Sequence, residues 1–209
     1  MTTLPQGPGA GAVIGVDTGA GSLREADHDL HELVDALGGP VPGLIACTHL
    51  VRLPGRQVTV LSLALPDAST AERVRRDLPD LLAERYGPGA AASSGNPGYE
   101  HGPADAVRAA GFAAAEHARR SGGRAVVYPG VAALTGTLTV ADLLSYSAIG
   151  ATSVVGGPPA DPAAPVETRG HVRPEWCRGV LTLALAPAPG GRLAPFEVPN
   201  PTPCCADHA

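Results

Sequence analysis

Apolar and polar positions along this chain switch between two periods, and the switches mark its elements. Ala12 to Asp17 (AVIGVD) is a short apolar run stopped by Thr18, Gly19, Ala20 and Gly21, the pattern of a buried strand. Leu23, Ala26, Leu30, Leu33, Val34 and Leu37 then recur at helical spacing behind a Ser22/Glu25 capping box, until Gly38, Gly39 and Pro40 stop the helix. Two β-rich runs, 44–53 and 57–65, flank Pro54, Gly55 and Arg56 and predict an antiparallel hairpin. Ser69 and Glu72 open a second helix with the stripe Val74, Leu78, Leu81 and Leu82, which Pro79 is expected to bend or to restart near Asp77. A third helix, 103–120, presents the small residues Val107, Ala110, Gly111, Ala114 and Ala118. In the stretch Leu138 to Gly157, on which the rest of the chain is read as organised, Thr139 and Asp142 cap a fourth helix that runs into a buried strand, 151–155. The runs 179–186 and 193–198 read as a closing hairpin.

This order mixes βα units with hairpins and predicts an α/β or α+β fold: one layered domain over 12–198, with a mixed sheet and about four main helices. Residues 1–11 read as a flexible tail, 87–102 and 158–174 as long loops, and 199–209 as a Pro/Cys-rich tail. A length of 209 residues suits one substantial core. The formal charge of −5, without clustered basic residues, argues against a nucleic-acid or anionic-membrane partner and leaves a small-molecule ligand as the expected one. The N-terminus has no basic region followed by an apolar core, and no apolar run approaches the roughly 20 residues of a membrane span. No membrane association and a cytoplasmic location are expected. Four cysteines are too sparse for a disulfide framework and read as free thiols.

Candidate chemistry falls in four places. Asp17 with Gly19, Gly21 and Ser22 joins a strand end to a Gly-rich turn and a helix, a pattern able to cradle phosphate on backbone amides or to hold a divalent ion. Gly156 and Gly157 offer a second loop where a ligand can approach the backbone, and the ligand is expected to be phosphorylated or carboxylated. Cys47 and His49, two apart on one strand face, join Asp17 as catalytic candidates. Cys204, Cys205 and His208 form a thiolate and imidazole set suited to metal, and Asp27, His28, Asp29, His31, Glu32 and Asp35 place i,i+4 pairs on the first helix. A divalent ion (Zn, Mg or Mn) is therefore a candidate cofactor.

Two family resemblances add to this reading. The Asp17 to Ser22 turn resembles the first phosphate loop of the sugar kinase and actin-like ATPase superfamily, except that a helix follows where that superfamily continues into a hairpin. This implies a phosphate-binding, kinase-like protein as one alternative. Ala141, Asp142, Leu143, Ser145, Ala148, Ile149, Gly150 and Ala151 resemble a segment of the class I 3-deoxy-7-phosphoheptulonate synthases, over 141–153. Tyr146 and Thr152 stand where that family has Trp and a substrate-binding Arg, and Val154 and Val155 replace its Glu-Ser-Gln continuation. The family's metal-ligand Pro-Cys-Ser segment has no counterpart after the first strand. The resemblance implies a small-molecule metabolic enzyme, a transferase or lyase, related to aldol-type carbon–carbon bond chemistry on phosphorylated metabolites. The other alternative is a metal- or thiol-handling binding protein built on the Cys-Cys-x-x-His tail.

Overall fold

A computed structural model describes residues 12–95 and 98–198. Among them are four α-helices and twelve strands with both parallel and antiparallel pairings, the mixed class the pattern predicts. The chain divides into two compact units, Met1–Pro129 with Glu175–Val180, and Gly130–Pro174 with Leu181–Ala209.

The first unit is a layered sandwich. Its strands are β1 (Val13–Asp17), β2 (Ile45–Leu53), β3 (Arg56–Ala64), β4 (Ala91–Ser93), β5 (Glu100–His101), β6 (Arg124–Val127) and, from later in the chain, β10 (Glu175–Cys177), in the spatial order β5-β4-β1-β3-β2-β6-β10. Each of these neighbouring pairs is antiparallel. The predicted hairpin is β2 and β3, closed by Pro54 and Gly55, where Gly55 takes φ +77°. Because strand side chains alternate between faces, Ile14, Val16, Leu61, Leu63 and Val126 fall on one side. There they pack with Leu30, Leu33 and Val34 of α1 (Leu23–Ala36) and Val74, Leu78 and Leu82 of α2 (Ala68–Tyr86). Each fully buried leucine contributes roughly 2 kcal/mol from burial alone. On the opposite side Val51, Leu53 and Val60 meet Ala109 and Ala113 of α3 (Ala104–Ala118).

Helix α3 lies unusually close to the sheet. A Cβ placed on Gly15 of β1 would come within 1.9 Å of the Ala110 carbonyl oxygen. The helix buries Ala106, Ala109, Ala110, Ala113, Ala114 and His117, so its inner face is rotated from the expected one, with Ala118 exposed. The polar His117 completes this stripe, which is why a count of apolar residues alone misplaces it.

Several boundaries are corrected. Asp67, not Ser69, caps α2: its carboxylate accepts from the Thr70 amide at 2.8 Å and from the Ser69 and Thr70 hydroxyls. Four acceptor positions on a carboxylate outcompete one hydroxyl. Helix α2 continues through Pro79 without restarting. The stretch 87–102 is not simply a loop, since β4 pairs with β1 (Gly15 opposite Ser93) and β5 with β4. Strands this short and built from Ala and Ser carry little periodic signal.

The second unit contains β7 (Thr137–Thr139), α4 (Val140–Tyr146), β8 (Ala151–Val154), β9 (Pro165–Glu167), β11 (Val180–Ala188) and β12 (Arg192–Pro195). β11 lies between β8, which is parallel to it, and β12, which is antiparallel. β9 pairs with β12 and β7, so 158–174 also contains a strand. The Thr139/Asp142 capping box is present. β8 is only half-buried, because among the described strands it pairs with β11 alone.

Of the expected core, Val13, Ile45 and Val154 are only partly buried, while Ile14, Leu30, Val34, Val60, Leu61, Leu63, Val126, Leu143, Ile149, Leu181 and Leu183 are buried. Gly15→Ala, which drives a methyl group into backbone, is expected to cost about 3 kcal/mol or to prevent folding, read by urea denaturation. Gly55→Ala, which meets no atom within 4 Å and carries only the strain of its positive φ, should cost about 1 kcal/mol.

Candidate functional site

β1 ends in Asp17, whose side chain is buried. Its Oδ1 accepts the Gly19 N–H at 2.9 Å, which folds the turn back on the strand, and Gly19 takes φ +81° to allow it. Oδ2 accepts no hydrogen bond from any described residue. Burial raises the Asp17 pKa above its ordinary value, opposed by the Gly19 hydrogen bond and by the Arg56 guanidinium. The turn is held by two further carboxylates. Gly21 N–H donates to Glu25 Oε2 at 2.8 Å, and the Thr18 hydroxyl donates to Asp29 Oδ2 at 2.6 Å.

Asp17, Gly19 and Gly21 line a cleft of about 510 Å³ together with Arg56 and the first turn of α3, at Pro103 and Asp105. That helix start has no side-chain cap. Arg56, from the β2–β3 hairpin, makes no hydrogen bond or salt bridge to any described residue. The expected amide cradle is thus altered in kind: the Gly19 and Gly21 amides already serve the protein's own carboxylates. Ser22 caps α1 through the Glu25 amide at 3.2 Å. In the second unit, Gly156 takes φ +69° in a turn that the Gly157 amide closes onto the Val154 carbonyl at 3.2 Å.

Cys47 and His49 share one face of β2, as their spacing predicts, and both are buried under α3. They belong to a hydrogen-bonded chain whose other members the sequence did not announce. Glu116 Oε2 lies 2.6 Å from His49 Nδ1, His49 Nε2 lies 2.7 Å from Ser62 Oγ, Ser62 Oγ lies 2.7 Å from His117 Nδ1, and His117 Nε2 lies 3.9 Å from Cys47 Sγ. Ser62 can donate its single proton to only one imidazole. With His49 neutral, Cys47 donates to His117, His117 to Ser62, Ser62 to His49, and His49 to Glu116. With His49 protonated, the bonds from His49 through Ser62 and His117 to Cys47 all reverse, while His49 still donates to Glu116. Burial pushes His117 down to about 3 and pushes the Cys47 thiol up, while the hydrogen bond from His49 lowers Glu116.

Glutamate, histidine and serine in this order have the distances of a nucleophile, its base and its orienting group. Access is missing. Ser62 is 0% exposed in the middle of β3, and Gly123 lies against the His49 ring. A substrate carbonyl has no path to Ser62 Oγ, and a buried thiol with a raised pKa is not a nucleophile. Trp176 closes the layer, its ring centroid 6.1 Å from that of His117 and its face under the Arg120 guanidinium. These polar groups specify how α3 seats on the sheet. The signal that reveals His117 is its place on the stripe Ala106, Ala110, Ala113, His117.

On α1, Asp27 pairs with Arg124, Asp29 accepts from Thr18, and Glu32 lies near His28 and Arg85, so those carboxylates are engaged in structure. Among the described residues no group of three or more His, Cys, Asp or Glu is placed to hold a metal ion. Cys204, Cys205 and His208 lie outside the described residues. No described helix is long and apolar enough to cross a membrane. Set against protein-family models, curated proteins and solved structures, the chain matches none at a significant level.

His117 gives a testable pH dependence. In the unfolded chain it takes up a proton near pH 6.5, and in the folded protein only near pH 3, so between these values the unfolded state binds more protons and stability falls as pH falls. From pH 6.5 to 5 this contributes a loss on the order of 1 kcal/mol per pH unit. Urea denaturation at a series of pH values should show that slope, and His117→Gln, although less stable at pH 7, should show a shallower one. Ser62→Ala leaves two buried imidazole nitrogens without their partner and should cost about 2 kcal/mol.

Proposed function

We propose that the first unit binds a small carboxylated metabolite in the Asp17 cleft and that Asp17 acts there as the proton-transferring group. The observation that carries this is the Asp17 side chain, 6% exposed, with Oδ1 fixed by Gly19 and Oδ2 left without a donor on the wall of a 510 Å³ cleft. Oδ2 is not among the buried atoms without a partner, so it opens onto the cleft, where a ligand group can take the place of solvent. A raised pKa brings a carboxyl group nearer to the working pH of a general acid or base. Arg56, free of other ion pairs among the described residues, is suited to the planar, two-pronged recognition of a carboxylate.

This is the reading of a small-molecule metabolic enzyme. Its reaction class, aldol-type carbon–carbon bond chemistry, is carried by the resemblance of 141–153 alone and enters as part of the proposal. A phosphorylated ligand fits less well, because Asp17, Glu25 and Asp105 stand around the turn that would receive it.

Thermal-shift measurements against a panel of mono- and dicarboxylates and their phosphorylated counterparts test the reading. Carboxylates should raise the melting temperature, and Arg56→Gln should weaken their binding at least about tenfold while leaving the ligand-free melting temperature within about 2 °C. No shift with any member of the panel contradicts it.

A further inference from the structure

The charges around the cleft are arranged unevenly, and this narrows the ligand. Arg56, exposed on the hairpin, lines the cleft with no hydrogen bond or salt bridge to a described residue and acts on Asp17 through its charge. Three acidic groups lie at the Gly-rich turn and the start of α3. Asp17 holds Gly19, Glu25 holds Gly21, and Asp105 lines the opening while sharing a 3.2 Å ion pair with Arg108. The two turn amides best placed for a phosphate oxygen are occupied by carboxylates of the chain itself. A dianion entering the turn would meet like charge in place of donors. Among the described residues Asp17 Oδ2 receives no hydrogen bond and Arg56 gives none.

From this we infer that the ligand is a zwitterion of the amino-acid class, its carboxylate paired with Arg56 and its ammonium group donating to Asp17 Oδ2. The inference rests on the cleft being a carboxylate site, and adds the amine. An ammonium group supplies the missing donor and a charge that offsets the burial of an ionised carboxylate. The first turn of α3, without a side-chain cap, lies on the same cleft and favours the carboxylate end.

Matched pairs that differ only in the amino group separate the two claims. Binding is measured by isothermal titration calorimetry for L-glutamate and glutarate, L-phenylalanine and 3-phenylpropionate, and L-alanine and propionate, with phenethylamine and inorganic phosphate alongside. In at least one pair the amino acid should bind about tenfold or more tightly than its partner, by the loss of a charge-assisted hydrogen bond in the latter. Asp17→Asn keeps an oxygen for the Gly19 amide and removes the charge, so it should reduce that preference to about twofold while the desamino acid still binds. If desamino acids bind as well as amino acids in wild-type protein, the amine is overturned and the carboxylate site stands. If neither class binds, both fall. Preferential binding of inorganic phosphate would also overturn the inference. The wild-type comparison decides the matter even if Asp17→Asn does not fold.

Discussion

The close approach of α3 to β1 at Gly15 is the constraint from which the rest of the first unit follows. Only a residue without a Cβ lets the Ala110 carbonyl sit where it does, and the alanines along the inner face of the helix extend that contact in both directions. At its C-terminal end the helix brings Glu116 and His117 over β2 and β3, where they meet His49, Ser62 and Cys47. At its N-terminal end it opens beside the turn that follows Asp17. One packing contact therefore sets both the buried polar chain and the cleft.

The two clusters use similar residues to opposite ends. In the chain beneath α3 both ring nitrogens of His49 and of His117 and the Ser62 hydroxyl find partners, and burial holds His117 neutral over the ordinary pH range. A network satisfied in this way gives orientation and rigidity to a layer made mostly of alanine. In the cleft the matching stops halfway, with one oxygen of Asp17 bonded and the other not. A triad-like set of distances is thus found where there is no access, and an incompletely satisfied carboxyl where there is a cleft. Access and unmet hydrogen-bonding capacity, more than residue identity, distinguish the two clusters.

Much of this was legible in the sequence. Helical and alternating periods located the four helices and the β2–β3 hairpin, and the strand, Asp and Gly-rich turn at 13–21 marked the wall of the cleft. The pairing of Cys47 with His49 on one face followed from the strand period. What was not legible depends on contacts between distant segments. Ser62 is an ordinary strand serine until His49 and His117 stand on either side of it, 13 and 55 residues away. Arg56 reads as a hairpin residue until the turn places it in the wall that Asp17 also lines. The turn amides read as free donors because the sequence does not show that Asp17 and Glu25 reach back to them.

The central claim is that Asp17 is a buried carboxyl whose hydrogen bonding is left incomplete by the fold. Carbon-detected NMR titration of the side-chain carboxyl groups in the ligand-free protein tests it most directly, because Asp67 provides an internal reference. Asp67 is held down to about 2 by the Ser69 hydroxyl and by the Thr70 amide and hydroxyl. The account predicts that Asp17 titrates above 3.8, the ordinary aspartate value, and well above Asp67. A midpoint for Asp17 at or below that value would mean a carboxylate fully satisfied by the protein or by solvent, and would contradict the account.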